Sequence, residues 1–191
     1  MFDSLGCMVT VTVDEIRELS PVERIERLHA VDAELRRLEA EAAILVAAVG
    51  DDGAFRSRGH LTIAGFLRGE LRWSPQQVTT RRQLARLVDQ VPAVIEHLAA
   101  GAIGVAQAHA FGRAAANPRC GDQLGDHAEL LLEHARTLTY QQFAICIARW
   151  EQLADSDGAH RDAETNHDNR RLAMSFHDGV GRFDGRCGAL D

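Results

Sequence analysis

The chain has 191 residues, 46% of them hydrophobic, with 28 acids against 21 bases and a formal net charge of -7. That is enough apolar material for one ordinary domain, or for one domain plus a fragment of a second, and it excludes a collagen, a mucin-like stalk and a disordered acidic tail. Every base is arginine and alanine recurs throughout, a usage that points to a GC-rich bacterial coding sequence. The cysteines, Cys7, Cys120, Cys146 and Cys187, are far apart and form no CxxC, so neither a disulfide framework nor a zinc knuckle is written here. No apolar run approaches the roughly 20 residues that span a bilayer. The N-terminus MFDSLGCMVTVTVDE lacks the basic and apolar regions of a secretory signal. The expectation is a cytoplasmic protein with no membrane association.

In chain order, residues 1–20 form an N-terminal segment. Four S/T-x-x-E/Q capping boxes then mark helix starts: Thr12 with Glu15, Ser20 with Glu23, Ser74 with Gln77, and Thr139 with Gln142. Pro21 and Pro75 stand at the first helical position, where a missing N–H costs nothing. Over residues 21–49 the apolar positions Leu28, Val31, Leu35, Leu38, Ala42, Leu45 and Val49 repeat with a heptad period, and the positions between them are rich in Arg and Glu. One long amphipathic helix follows, its seam to be buried in the domain or across a dimer, with Leu28, Val31, Leu35, Leu38 and Leu45 as interface residues. Gly50-Asp51-Asp52-Gly53 reads as its end.

Shorter helices are expected over 62–67, 75–89, 92–100 with Gly101 as C-cap, 105–116, 122–136 and 140–154. Residues 155–169 (DSDGAHRDAETNHDN) are polar and without period and read as a linker. Over 170–191 the period changes to two around Asp178-Gly179, a strong signal for a two-residue hairpin turn. A lone hairpin is marginal in water, so this one is expected either to open a truncated unit or to pack back on the helices. The fold class is mainly α: a helical bundle, residues 21–154, with one long N-terminal helix and a short C-terminal β-hairpin.

Charge is unevenly spread. Residues 120–168 hold ten acids and three arginines, whereas 56–88 hold seven arginines and one acid, Glu70. That basic stretch spans a short helix, a turn and the next helix, as in a helix-turn-helix, with Arg68, Arg72, Arg81, Arg82 and Arg86 as candidate nucleic-acid contacts. The competing reading is a solvated arginine face paired with acids of the same chain. Asp126, Glu129 and Glu133 share a helical stripe, but no second Glu-x-x-His helix completes a metal box, and a solvent face is expected. Asp155-Ser156-Asp157-Gly158 departs from a calcium loop and reads as a turn. His160, His167, His177 and Cys187 match no ligand spacing. No nucleophile elbow, P-loop or dinucleotide fingerprint occurs, so the sequence supplies no catalytic residue, cofactor site or metal site.

The run HLTIAGFLRGELRWSPQQVTTRRQLARLVDQVPAVIEHLAAGAIGVAQAHAF, then LTYQQFAICIARWEQLADSDG, then NRRLAMSFHDGVGRFDGRCGALD, resembles the actinobacterial 13E12 repeat family, also called domain of unknown function 222. The resemblance extends from about residue 22 to 191 and is carried by Val91-Pro92, Leu98, Gly101-Ala102-Ile103, Trp150, Asp155, Asp157-Gly158, Arg171-Leu172 and Asp178-Gly179 in that order. It implies a helical domain ahead of a C-terminal HNH nuclease module, in repetitive or prophage-linked loci. The histidine base and metal frame of such a module do not occur here. The chain is therefore expected to be a non-catalytic N-terminal accessory domain that contacts DNA. The alternative is a helical scaffold for self-association or another protein partner.

Overall fold

A computed structural model describes residues 12–155, 171–177 and 180–186. Among them the chain forms eight α-helices, three short 3-10 turns and two strands. All four capping boxes form, each with the hydroxyl accepting from the third helical amide and the Glu or Gln side chain returning to the cap amide. They start α1 (Val13–Glu18), α2 (Pro21–Asp52), α4 (Pro75–Gln90) and α8 (Tyr140–Ala154). Between these lie α3 (Ile63–Gly69), α5 (Pro92–Ala99), α6 (Val105–Ala115) and α7 (Ala128–Thr137).

Two boundaries differ from expectation. Gly50 does not stop α2, which continues to Asp52 and ends where Gly53 takes the left-handed conformation at φ 68°. Residues 121–127 form two successive 3-10 turns instead of the first turns of a longer helix, so α7 begins only at Ala128. The cause is local packing. A Cβ on buried Gly121 would lie 2.4 Å from the carbonyl oxygen of Ala115, so this stretch is pressed against the end of α6.

The main core is built from α4, α5, α6, α7 and α8 around Leu84, Leu87, Val94, Leu98, Phe111 and Phe143, with Ala40 and Ala43 entering from α2. A smaller cluster joins Val46 of α2, Leu67 of α3, and Val78 and Ala85 of α4, with Trp73 against it. Close helix approach has a specific cause at α4 and α6. A Cβ on Gly112 would meet the backbone of Gln83 and Leu84 at 3.0–3.2 Å, so the missing side chain lets the two backbones touch.

The face that α2 buries is not its heptad seam. Ala40, Ala43 and Val46 are its buried residues, about a quarter of a turn around the helix from the line through Leu28, Leu35 and Ala42. Leu28, Val31, Leu35, Leu38 and Leu45 are 69, 40, 56, 45 and 56% exposed. Burial of the seam inside the domain is thus overturned: small residues admit α2 to the bundle, and the larger apolar ones face outward. Every residue from 20 to 31 is exposed, so the first part of α2 overhangs the bundle. Where contact begins, Arg36 Nη1 donates to the Gly101 carbonyl at 2.8 Å, at the turn after α5, and Arg36 also pairs with Asp32.

β1 (Arg171–His177) and β2 (Val180–Arg186) pair antiparallel with His177 opposite Val180, the register of a two-residue turn. The Asp178-Gly179 turn itself, residues 1–11 and most of the expected linker lie outside the described residues.

Candidate functional site

The basic stretch folds as α3, a turn over residues 70–74, and α4. Thr62 caps α3 through the Gly65 amide, and Ser74 and Pro75 start α4. Between them Arg72 adopts φ 56°, the single non-glycine with positive φ among the described residues. This folded-back residue swings the chain from α3 into α4, as Trp73 N–H donates back to the Leu67 carbonyl at 3.3 Å. The arrangement is a helix, a sharp connection and a longer second helix whose inner side, Val78, Leu84, Ala85 and Leu87, is buried.

The five candidate arginines divide into two groups. Arg81 faces inward. Its Nε and Nη2 donate to the two oxygens of Glu39 on α2 at 3.1 and 3.0 Å. Its guanidinium also lies 4.4 Å from the centre of the Trp73 ring, a cation–π contact. His109 of α6 completes the cluster, with Nε2 3.3 Å from Glu39 Oε1. The hydrogen bond from His109, reinforced by Arg81, pulls the Glu39 carboxyl down to about 2. This cluster ties α2, α4 and α6 together. For Arg81 the pairing within the chain holds, with an acid of the long helix as its partner.

Arg68, Arg72, Arg82 and Arg86 are exposed and make no ion pair among the described residues. Arg82 and Arg86 lie one turn apart on the outer face of α4, in line with Thr79, which is also exposed. Arg68 sits at the end of α3 with Nε on the Ala64 carbonyl at 3.2 Å. Glu70, the lone acid of the stretch, is held by Arg58 at 3.1 Å, with His60 3.4 Å away, and these contacts keep its carboxyl below its ordinary range, Arg58 contributing most. The acid that could have neutralised the turn is therefore already engaged.

Asp126, Glu129 and Glu133 are exposed, and among the described residues no group of three His, Cys, Asp or Glu side chains is placed to hold a metal ion. His160, His167 and Cys187 lie outside the described residues, and the side chain of His177 is not described. No helix among the described residues is long and apolar enough to cross a membrane. The cluster of Glu39, Arg81, His109 and Trp73 has no sequence signature, because Arg81 and His109 lie 42 and 70 residues from Glu39 and its members are drawn from three helices and the turn before α4.

Comparison with curated proteins and with solved structures finds no match. One family model, "Domain of unknown function (DUF222)", does match, over residues 25–191. It takes in α3, the turn, α4 and the Glu39 cluster together, and the chain belongs to that family.

Proposed function

We propose that this chain is a non-catalytic accessory domain that contacts DNA on behalf of an HNH-type nuclease unit in a mobile-element-associated actinobacterial protein. The observation that carries the DNA contact is the outer face of α4, where Arg82 and Arg86 stand one turn apart and without ion-pair partners among the described residues. A chain of net charge -7 can approach phosphates only where its local field is positive. Arg68 and Arg72 extend that field beyond the N-terminal end of α4, while Arg81 fixes the helix to α2 and acts on DNA only through position. Free thiols at Cys120 and Cys146 fit work in a reducing cytoplasm.

Fluorescence anisotropy with a labelled duplex tests this. Replacing Arg82 and Arg86 by Gln should reduce the magnitude of the log K against log salt slope by about two. Absence of binding at about 50 mM salt, where nonspecific contacts are strongest, would retire the DNA role.

The outward seam of α2 supports a second reading, a helical scaffold with no nucleic-acid role. Five large apolar side chains at heptad spacing, all at least 40% exposed, are what a partner helix packs against. Loss of partner or self-association on Leu35→Asp, with the fold intact, is the expected result.

A further inference from the structure

We infer that α2 pairs antiparallel with α2 of a second copy of this chain, Leu28 of one against Leu38 of the other and Val31 against Leu35, about a dyad near residue 33. This rests on the reading of the α2 seam as an assembly surface and goes further by naming the partner, the orientation and the register.

Orientation follows from where the bundle sits. It contacts the later part of α2, through Arg36, Ala40, Ala43 and Val46, while residues 20–31 are all exposed, with Arg24 reaching back to the Ile16 and Arg17 carbonyls of α1. Antiparallel alignment lays the solvated overhang of one copy along the seam beside the bundle of the other. Parallel alignment would instead set the two bundles at the same level and bring Glu34 toward Glu39 of the second copy, an acid already committed to Arg81 and His109.

Register follows from charge together with apolar overlap. The residues that border the seam on its open side are Arg27, Glu34 and Glu41, one per heptad. Arg27 has no ion pair among the described residues, and Glu34 and Glu41 share Arg37. With the dyad near residue 33, Arg27 lies within about 3 Å, along the axis, of Glu41 of the second copy, and symmetry makes this contact twice. Glu34 then meets its own mate, each already screened by an Arg37 at 2.7 Å. Sliding the copies one heptad in one direction would replace the two Arg–Glu contacts with two Glu34–Glu41 contacts. Sliding them one heptad in the other would keep Arg–Glu contacts, through Glu34, but set Leu35 against Arg24 and Leu38 against Pro21, so charge excludes the first slide and lost apolar overlap the second.

The overlap is a strip about 36 Å long and one helix diameter wide, on the order of 400 Å² per copy. That is about half the ~800 Å² per partner of a standard interface. An interface of this size belongs with weak, reversible associations.

Sedimentation velocity of the full chain from about 1 to about 100 µM tests this, since a weak interface dissociates in that span. The weight-average mass should rise from one copy toward two. Leu35→Asp should hold the chain as a monomer with unchanged circular dichroism and melting temperature, because Leu35 is 56% exposed in the single copy. Arg27→Glu should weaken the dimer about tenfold, and adding Glu41→Arg to it should restore the wild-type constant. A chain that stays monomeric at the highest concentration overturns the second copy as partner, leaving the seam to a different protein. A dimer that survives Leu35→Asp overturns the seam itself as the assembly surface. A dimer lost on Leu35→Asp yet indifferent to the charge exchange overturns the antiparallel register alone.

Discussion

Glu39 shows how much a single side chain decides when three helices meet on it. Its carboxyl, about 2 in the folded chain against an ordinary 4.5, favours the folded state wherever it is ionised. That contribution is complete above pH 4.5 and is lost as pH falls through the folded value near 2. Glu39→Gln should lower neutral-pH stability by on the order of 2–3 kcal/mol, because Arg81 keeps its half-buried position without its counter-charge. The variant should also lose part of the wild-type acid dependence, so denaturation midpoints at a series of pH values should converge with the wild type at the acid end. Arg72 makes the opposite demand. At φ 56° its side chain crowds its own backbone, so Arg72→Gly should be neutral or stabilising by up to about 1 kcal/mol, relief of strain being offset by a freer unfolded chain. Arg72→Val, branched at Cβ, should cost about 1–2 kcal/mol by urea titration.

At the level of elements, Gly112 sets the spacing of α4 against α6. The atoms its Cβ would meet at 3.0–3.2 Å are backbone and cannot turn aside as a flexible side chain would. Gly112→Ala should therefore cost about 1–3 kcal/mol in thermal or urea unfolding, despite the usual gain from replacing a helical glycine. The element order was legible from punctuation: hydroxyl caps with Glu or Gln three residues on, prolines at first helical positions, and the period change before Asp178. Those signals are local, and local chemistry suffices to start a helix. Which face of α2 is buried was not legible from its large residues. The heptad of Leu and Val suggested burial, but Ala40, Ala43 and Ala47 at i, i+3 and i+7 are the ones that let a neighbouring backbone approach. Alanine's small transfer energy hides this in any hydrophobic pattern. The arginine-rich stretch was visible as charge, while the separation of Arg81 from Arg82 depends on where Glu39 arrives, a contact spanning 42 residues.

Across the whole molecule, the net charge of -7 conceals a division between the arginines of α3 and α4 and the acids exposed near α7. The chain should therefore meet a polyanion in one orientation only, with α4 leading. Incubated with Mg²⁺ or Mn²⁺, the protein should leave supercoiled plasmid unnicked, since its sequence offers no histidine base and metal frame. The 32 residues of α2 run about 48 Å, and its overhang has a consequence for time as well as for contact. A helical stretch of about a dozen exposed residues, tied back only at Arg24 to the Ile16 and Arg17 carbonyls of α1 among the described residues, is marginal in water, so residues 25–31 should open at a cost of about 1 kcal/mol or less while residues 40–50 open only with the whole domain. Amide hydrogen exchange along this one helix should then slow from its first turns to its last, and trypsin should cut at Arg24 and Arg27 well before Arg36 or Arg37. The same element thus wears away from one end, like a wick, at a rate that any ligand of the overhang would slow.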